Sequence, residues 1–118
     1  MPAATSARRD HALSLAVTAA IAIALLAPLP PPESLPGAWS VPQLDKLVHG
    51  LLFLAAARCW RRSLTRLGVA RPGVWCLVAA AAYAGLLELA QGLWTSRTPE
   101  LADLLAGVLG ALVARYLP

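Results

Sequence analysis

Four apolar segments dominate this chain and constrain its fold more than any other feature. They cover residues 12–28, 42–60, 74–94 and 100–117, and they consist mostly of Ala, Leu, Val and Gly. A helix needs about 20 apolar residues to cross a bilayer, with a range of about 17 to 25. The sequence therefore predicts a single all-α domain over residues 1–118, an integral membrane bundle of four transmembrane helices.

The composition argues against a soluble fold. The chain is 58% hydrophobic and 14% charged, and its mean hydropathy is +0.64. A soluble domain carries about 25% charged residues, and a domain this small has too little interior to bury so many apolar side chains. The excess apolar surface must face something other than water, and lipid is the simplest candidate.

The basic residues set the orientation of this predicted bundle. Lys46 and Arg97 fall on one side of the four-helix topology, and the other eight of the ten basic residues fall on the opposite side. Those eight are Arg8, Arg9, Arg58, Arg61, Arg62, Arg66, Arg71 and Arg115. Because Arg and Lys are enriched in cytoplasmic loops, both termini are predicted to be cytoplasmic. The net charge of +4 reflects this same bias, so we expect no nucleic-acid partner.

The first two segments leave alternatives open. Segment 12–28 follows a basic stretch and could be a cleaved signal peptide. The proline after Ala27 disfavours a cleavage site there, so we prefer an uncleaved helix. In segment 42–60 the uncharged core covers only residues 47–57, which is too short to cross a bilayer alone. Whether this segment spans fully is left open by the sequence.

The remaining polar residues are predicted to converge at the outer ends of the helices. Asp45 and His49 are four residues apart and share a helix face, and Glu88 and Gln91 are three apart. A carboxylate at bilayer depth costs about 3 kcal/mol or more, so we expect these groups to be partnered. The predicted ligand-binding or polar cluster consists of Asp45, Lys46, His49, Glu88, Gln91, Arg97 and Asp103.

The last segment indicates which way Asp103 points. Gly107, Gly110 and Ala114 repeat on the same helix face as Asp103. Membrane helices approach one another most closely at faces made of small residues. Asp103 is therefore predicted to point into the bundle, with Gly107 and Gly110 forming a helix-packing surface.

These short motifs, in this order, resemble the VanZ-like family. The motifs are DKLVHG from position 45, ELAQ from position 88, and Arg97 six residues before Asp103. The family comprises small multi-pass bacterial membrane proteins typified by an accessory protein of teicoplanin resistance. The resemblance covers residues 42–114. It departs from the family pattern at Gly50, where an aromatic residue is usual, and at Ala106, where asparagine is common.

The resemblance implies a location in the bacterial cytoplasmic membrane and a role in the cell envelope. We expect the outer polar cluster to bind or position an envelope lipid, a cell-wall precursor or a glycopeptide, as in glycopeptide resistance. Membrane lipids are the predicted partners, with an anionic lipid or a cell-wall precursor at the outer face.

Two other functions remain open for the same residues. The chain could be a membrane enzyme acting on a phosphate-bearing lipid or precursor, with His49, Glu88 and Asp103 as catalytic groups. Histidine exchanges protons near neutral pH, and the cations of Lys46 and Arg97 would hold an anionic group. Alternatively, the cluster is purely structural and locks the helices together.

We expect neither a cofactor nor a metal ion. Asp45, His49, Glu88 and Asp103 could together ligate a divalent cation, but mixtures of carboxylate and histidine at this depth usually pair with basic side chains. The two cysteines form no CxxC motif and have no histidine at zinc-binding spacing. We therefore expect both to be small buried or interfacial residues.

Overall fold

The computed structural model describes residues 2–26, 42–94 and 101–117, and for Pro2 and residues 42–45 it describes the backbone only. The prediction of an all-α chain is confirmed over this part, which contains four helices. They are α1 (Pro2–Leu26), α2 (Pro42–Arg66), α3 (Pro72–Trp94) and α4 (Leu101–Ala114).

Proline and glycine set the limits of α2 and α3. Pro42 and Pro72 stand at the first position of their helices, where the missing N–H would have no intrahelical partner. After α2 ends, Gly68 adopts a left-handed conformation with φ of 75°, and the amide of Val69 donates to the carbonyl of Leu64. This is a glycine-containing helix termination, and it allows a short turn into α3.

Two helices extend beyond the apolar segments that predicted them. α1 begins at Pro2 and α2 ends at Arg66, whereas the apolar segments start at residue 12 and end at residue 60. Arginine is a good helix former, so the helices continue through the basic stretches. An ion pair also joins the two extensions, with Arg66 Nε 3.1 Å from Asp10 Oδ2. At the other end of the chain α4 stops at Ala114, three residues before the predicted limit.

The helices alternate in direction. The hydroxyl of Ser14 on α1 lies 2.6 Å from that of Ser63 on α2, and Gln91 on α3 reaches Leu25 on α1. α1 and α3 therefore run one way, and α2 and α4 run the other. This arrangement gathers eight arginines at one end of the bundle, which we call the basic end: Arg8, Arg9, Arg58, Arg61, Arg62, Arg66, Arg71 and Arg115. The opposite end is called the polar end.

The core is built mainly from alanine. Ile21 and Phe53 are the largest fully buried side chains, and most of the rest of the core is Ala56, Ala57, Ala80, Ala84, Ala111 and Ala114. Small side chains allow helix backbones to approach closely. Toward the basic end, Trp60 Nε1 donates to Thr18 Oγ1 over 2.8 Å, which joins α2 to α1 by a polar contact.

The closest helix contact is between α2 and α4. A Cβ atom built on Gly110 would overlap the backbone carbonyl of Gly50, and one built on Gly107 would lie 3.0 Å from the ring of Phe53. Gly110 has no room for a side chain unless the helices separate, and at Gly107 the ring of Phe53 would have to shift by a few tenths of an ångström. The structure thus places Gly107 and Gly110 directly at the α2–α4 interface.

Within the described residues, two helices are long and apolar enough to cross a membrane: Ala3–Leu26 of α1 and Pro72–Trp94 of α3. Length and composition alone put them in this class, which also includes signal sequences and the core helices of soluble proteins. The apolar helix α4 has 14 residues, about 21 Å at 1.5 Å per residue. The described part of α2 does not belong to this class of long apolar helices.

We predict that Gly110→Ala destabilises the protein by about 1–3 kcal/mol, because overpacking would push apart two backbones that cannot yield locally. Thermal unfolding of the purified protein measures this effect. Gly85→Ala is the matched control, since its added Cβ would meet only the flexible end of Leu104 at 3.6 Å. Equal melting temperatures for Gly110→Ala and the wild type would contradict the close contact.

Candidate functional site: a buried polar cluster

Polar side chains from three helices meet at the polar end of the bundle. Four of them are almost fully buried: the exposed fraction is 3% for His49, 9% for Glu88, 2% for Gln91 and 5% for Asp103. Lys46 joins them at the rim. We call these five residues the polar cluster: Lys46 and His49 on α2, Glu88 and Gln91 on α3, and Asp103 on α4.

The structure does not describe the side chains of two further residues predicted for the cluster. Asp45 lies in α2, one residue before Lys46, but only its backbone is described. Arg97 lies outside the described residues. The structure therefore brings together five of the seven predicted residues, and the positions of the other two side chains stay predictions.

His49 lies between two carboxylates from different helices. Its Nε2 atom is 4.0 Å from Glu88 Oε1 and 4.0 Å from Asp103 Oδ2. These distances exceed the 2.7–3.2 Å range of a direct N–H···O hydrogen bond, so these contacts are electrostatic. A protonated imidazole would be attracted to both carboxylates. This attraction would link α2 to α3 and to α4 at the polar end of the bundle.

Lys46 links the buried cluster to its surroundings. Its Nζ lies 3.8 Å from Asp103 Oδ1, and 36% of its side chain is exposed. A lysine can bury its methylene stem and keep the ammonium group near solvent. Lys46 thus supplies a positive charge to Asp103 and presents that charge at the rim of the cluster.

Gln91 has a structural role that the sequence did not indicate. Its Nε2 donates to the carbonyl of Leu25 over 2.6 Å. Leu25 is in the last turn of α1, where carbonyl groups have no intrahelical partner. Gln91 therefore satisfies the end of α1 and fastens it to α3. The sequence showed that Gln91 shares a face with Glu88, but not which helix it meets.

An open groove runs along α3 beside the cluster. It has a volume of about 480 Å³ and is lined by Gly85, Glu88, Leu89, Gly92 and Leu93. The two glycines add no side chains to this surface, and among the described residues of the lining Glu88 is the one that is ionisable. The spacing of Gly85, Glu88 and Gly92 placed them on one face in the sequence, but the groove itself depends on how α3 packs.

Three cluster residues have the spacing of metal ligands. His49, Glu88 and Asp103 each offer a ligand atom, and these atoms all lie within 4.8 Å of one another. A divalent cation with ligand distances of about 2.0–2.2 Å needs its ligand atoms within about 4.4 Å of one another, so it would draw these side chains slightly together. Lys46, however, already supplies a cation to Asp103. The absence of a metal stays a prediction from sequence.

The two departures from the VanZ-like pattern are neighbours in space. A Cβ atom on Gly50 would lie 3.4 Å from the carbonyl oxygen of Ala106, next to the contact between Gly50 and Gly110. Both departures therefore belong to the α2–α4 interface.

Comparison with known protein families, with curated proteins and with solved structures gives no match for this chain. The resemblance to the VanZ-like family consequently rests on the motifs in the sequence. The function has to be argued from the geometry of the polar cluster and its surroundings.

We predict that Gln91→Leu lowers the free energy of unfolding by about 1–3 kcal/mol, because it leaves the buried carbonyl of Leu25 without its donor. Thermal unfolding of the purified variant provides the measurement. Leu89→Ala on the same helix removes a 60% exposed side chain and should have a much smaller effect. A wild-type melting temperature for Gln91→Leu would show that this hydrogen bond contributes little.

Proposed function

We propose that this chain is a VanZ-like multi-pass protein of the bacterial cytoplasmic membrane. In this proposal the polar cluster binds or positions the polar part of an envelope lipid, a cell-wall precursor or a glycopeptide. The observation that carries the proposal is that Glu88 belongs both to the polar cluster and to the lining of the apolar groove along α3. A hydrogen-bonding site that opens into an apolar groove suits an amphiphile.

The apolar surface of the bundle supports a membrane location. The exposed fraction is 74% for Leu15, 71% for Ile23 and 65% for Leu93, and α4 likewise exposes Leu105 and Leu109. A core helix of a soluble protein would be mostly buried, but only 22% of the apolar window in α1 and 28% of that in α3 are buried. An apolar surface this extensive requires lipid or a large protein partner.

The proposed topology has all four helices in the bilayer and both termini in the cytoplasm. The eight arginines of the basic end favour the cytoplasmic side. α2 has 25 residues, about 37 Å, so its middle could lie in hydrocarbon while its arginines reach the headgroups. The 14 residues of α4 are short for a bilayer of about 30 Å, a mismatch that local thinning can accommodate.

The chemistry of the cluster favours a ligand that carries hydrogen-bond donors. Glu88 and Asp103 accept hydrogen bonds from hydroxyl or ammonium groups, which sugars, peptides and glycopeptides all provide. The ammonium group of Lys46 at the rim could hold an anionic group. The 4.0 Å between His49 Nε2 and each carboxylate is close to the span bridged by one hydroxyl or water.

We predict that wild-type protein, purified from bacterial membranes in a mild detergent, carries an amphiphile that Glu88→Gln and His49→Gln lose. Native mass spectrometry of the protein and lipid analysis of the extract measure this. Leu105→Ala, which changes an exposed residue on α4, is the control and should retain the amphiphile.

The melting temperatures of the same variants separate a ligand site from a structural lock. A ligand site predicts that Glu88→Gln loses the amphiphile and melts, when ligand-free, near the temperature of ligand-free wild type. If wild type carries no amphiphile and both variants unfold, the cluster is a structural lock and the binding proposal fails.

The position of His49 also favours a second candidate, an enzyme acting on the same class of ligand. An imidazole between two carboxylates is an arrangement suited to general acid–base catalysis, with His49, Glu88 and Asp103 as the candidate groups. Time-dependent change in the mass of the bound amphiphile, abolished by His49→Gln, would favour the enzyme over a binding protein.

The topology predicts opposite accessibility at the two ends of the bundle. In a Cys59→Ala, Cys76→Ala background, Ala70→Cys in the α2–α3 turn should react with a membrane-impermeant maleimide only after cell lysis. Leu101→Cys at the start of α4 should react in intact spheroplasts. Both positions are exposed, so burial does not limit labelling. The reverse pattern would contradict the proposed orientation.

A further inference from the structure

A second cavity, separate from the polar cluster, lies at the basic end of the bundle. It has a volume of about 620 Å³ and is formed by α1, α2 and the end of α4. Among the residues that the structure describes, five guanidinium groups and one carboxylate line it, an excess of four positive charges around one concave surface. The charged residues of this basic pocket are Arg9, Asp10, Arg58, Arg61, Arg62 and Arg66.

Two of these arginines are held in place by neighbouring groups, Arg61 by a neutral acceptor and Arg66 by one neutral acceptor and one carboxylate. Arg61 donates to the carbonyl of Arg115 over 3.3 Å. Arg66 donates to the hydroxyl of Ser6 over 2.7 Å and also pairs with Asp10 at 3.1 Å. Backbone and hydroxyl acceptors fix a guanidinium group without neutralising it, so the positive charge of the pocket is ordered and only partly compensated.

Arg9 and Arg62 complete the pocket from opposite helices. Both side chains are exposed, and within the described ranges neither has a carboxylate at ion-pair distance. Like charges in one pocket repel one another, and an anion that contacts several of them relieves this repulsion. The pocket is therefore arranged to accept an anion from outside.

We propose that the basic pocket binds a phosphate ester, and specifically the headgroup of an anionic lipid. The planar fork of arginine matches phosphate oxygens bidentately, and pockets of about 300–1,000 Å³ accommodate small ligands. The walls also include Ala114 and Leu117 from the α4 end, which gives the headgroup site an apolar side where a glycerol and the start of an acyl chain can lie.

The inference that this phosphate belongs to a lipid rests on the proposed membrane topology, because basic pockets between helices on the cytoplasmic side bind anionic headgroups. The polar cluster plays no part in the inference. The two sites lie at opposite ends of the bundle, so failure of the ligand proposal for the polar cluster leaves the basic pocket unaffected.

The test measures lipid binding by native mass spectrometry with protein purified in a nonionic detergent at about 0.15 M salt, where diffuse surface attraction is screened. The lipids are cardiolipin, which carries two phosphates, and zwitterionic phosphatidylcholine. The wild type should bind cardiolipin about tenfold more tightly than phosphatidylcholine. Arg9→Gln combined with Arg62→Gln should reduce cardiolipin affinity about tenfold, because two charge-assisted contacts are lost.

The matched control is Arg8→Gln combined with Arg71→Gln. It removes the same charge from the basic end, but neither residue lines the pocket, so cardiolipin affinity should stay within about twofold of wild type. Equal losses in the two double variants would overturn the proposal in favour of diffuse attraction. If the first double variant fails to fold, Arg62→Gln alone, at an exposed side chain, replaces it, and cardiolipin affinity should then fall about threefold because one charge-assisted contact is lost.

Competition distinguishes a lipid from a soluble phosphate ester. Glycerol 3-phosphate and pyrophosphate are added to the cardiolipin complex in separate titrations. Retention of the lipid supports the headgroup as the natural ligand, whereas displacement at low concentration assigns the pocket to a soluble phosphate compound. A wild type that neither prefers cardiolipin nor binds either soluble compound would overturn the proposal.

Discussion

The contact between α2 and α4 determines where the polar cluster can form. At Gly50 and Gly110 the two helix backbones touch without intervening side chains, and the ring of Phe53 fills the space beside Gly107. His49 precedes this contact on α2 by one residue, and Asp103 lies two helical turns from it on α4. Since both side chains project from helices fixed at this point, their separation is set by backbone packing rather than by attraction between the charges.

α3 completes the arrangement through a different kind of contact. Glu88 faces His49, while Gln91 on the same face reaches the last turn of α1. One face of α3 thus carries both Glu88, which is suited to binding a ligand, and Gln91, which satisfies a carbonyl group in the last turn of α1. The glycines that flank Glu88 leave the groove open on its outer side. Burial of a carboxylate and access to it coexist because α3 is packed on one side only.

The sequence predicted the features that depend on position along the chain. Four apolar segments indicated four helices, and the alternating direction of these helices placed Lys46, His49, Glu88 and Asp103 at one level. Contacts that depend on the rotation of each helix about its axis were not predictable. The pair between Asp10 and Arg66 and the basic pocket form where the sequence shows only polar residues in basic stretches. The contact between Ser14 and Ser63 joins a serine inside the first apolar segment to a serine in the basic stretch after the second. Helix ends were also misplaced, because hydropathy marks apolar surface and the helices continue past it.

The parallel pairing of α2 with α4 has a consequence for biosynthesis. A ribosome makes α2 and α3 before α4, and α2 and α3 share a far smaller interface with each other than α2 shares with α4. Until α4 emerges, the backbone face at Gly50 has no partner, and His49 and Glu88 lack the carboxylate of Asp103. In the nascent chain His49 and Glu88 therefore lack part of the polar surroundings that they have in the complete bundle. Of the four described helices, α4 is the shortest and is made after the other three, and its synthesis supplies the third side of the polar cluster.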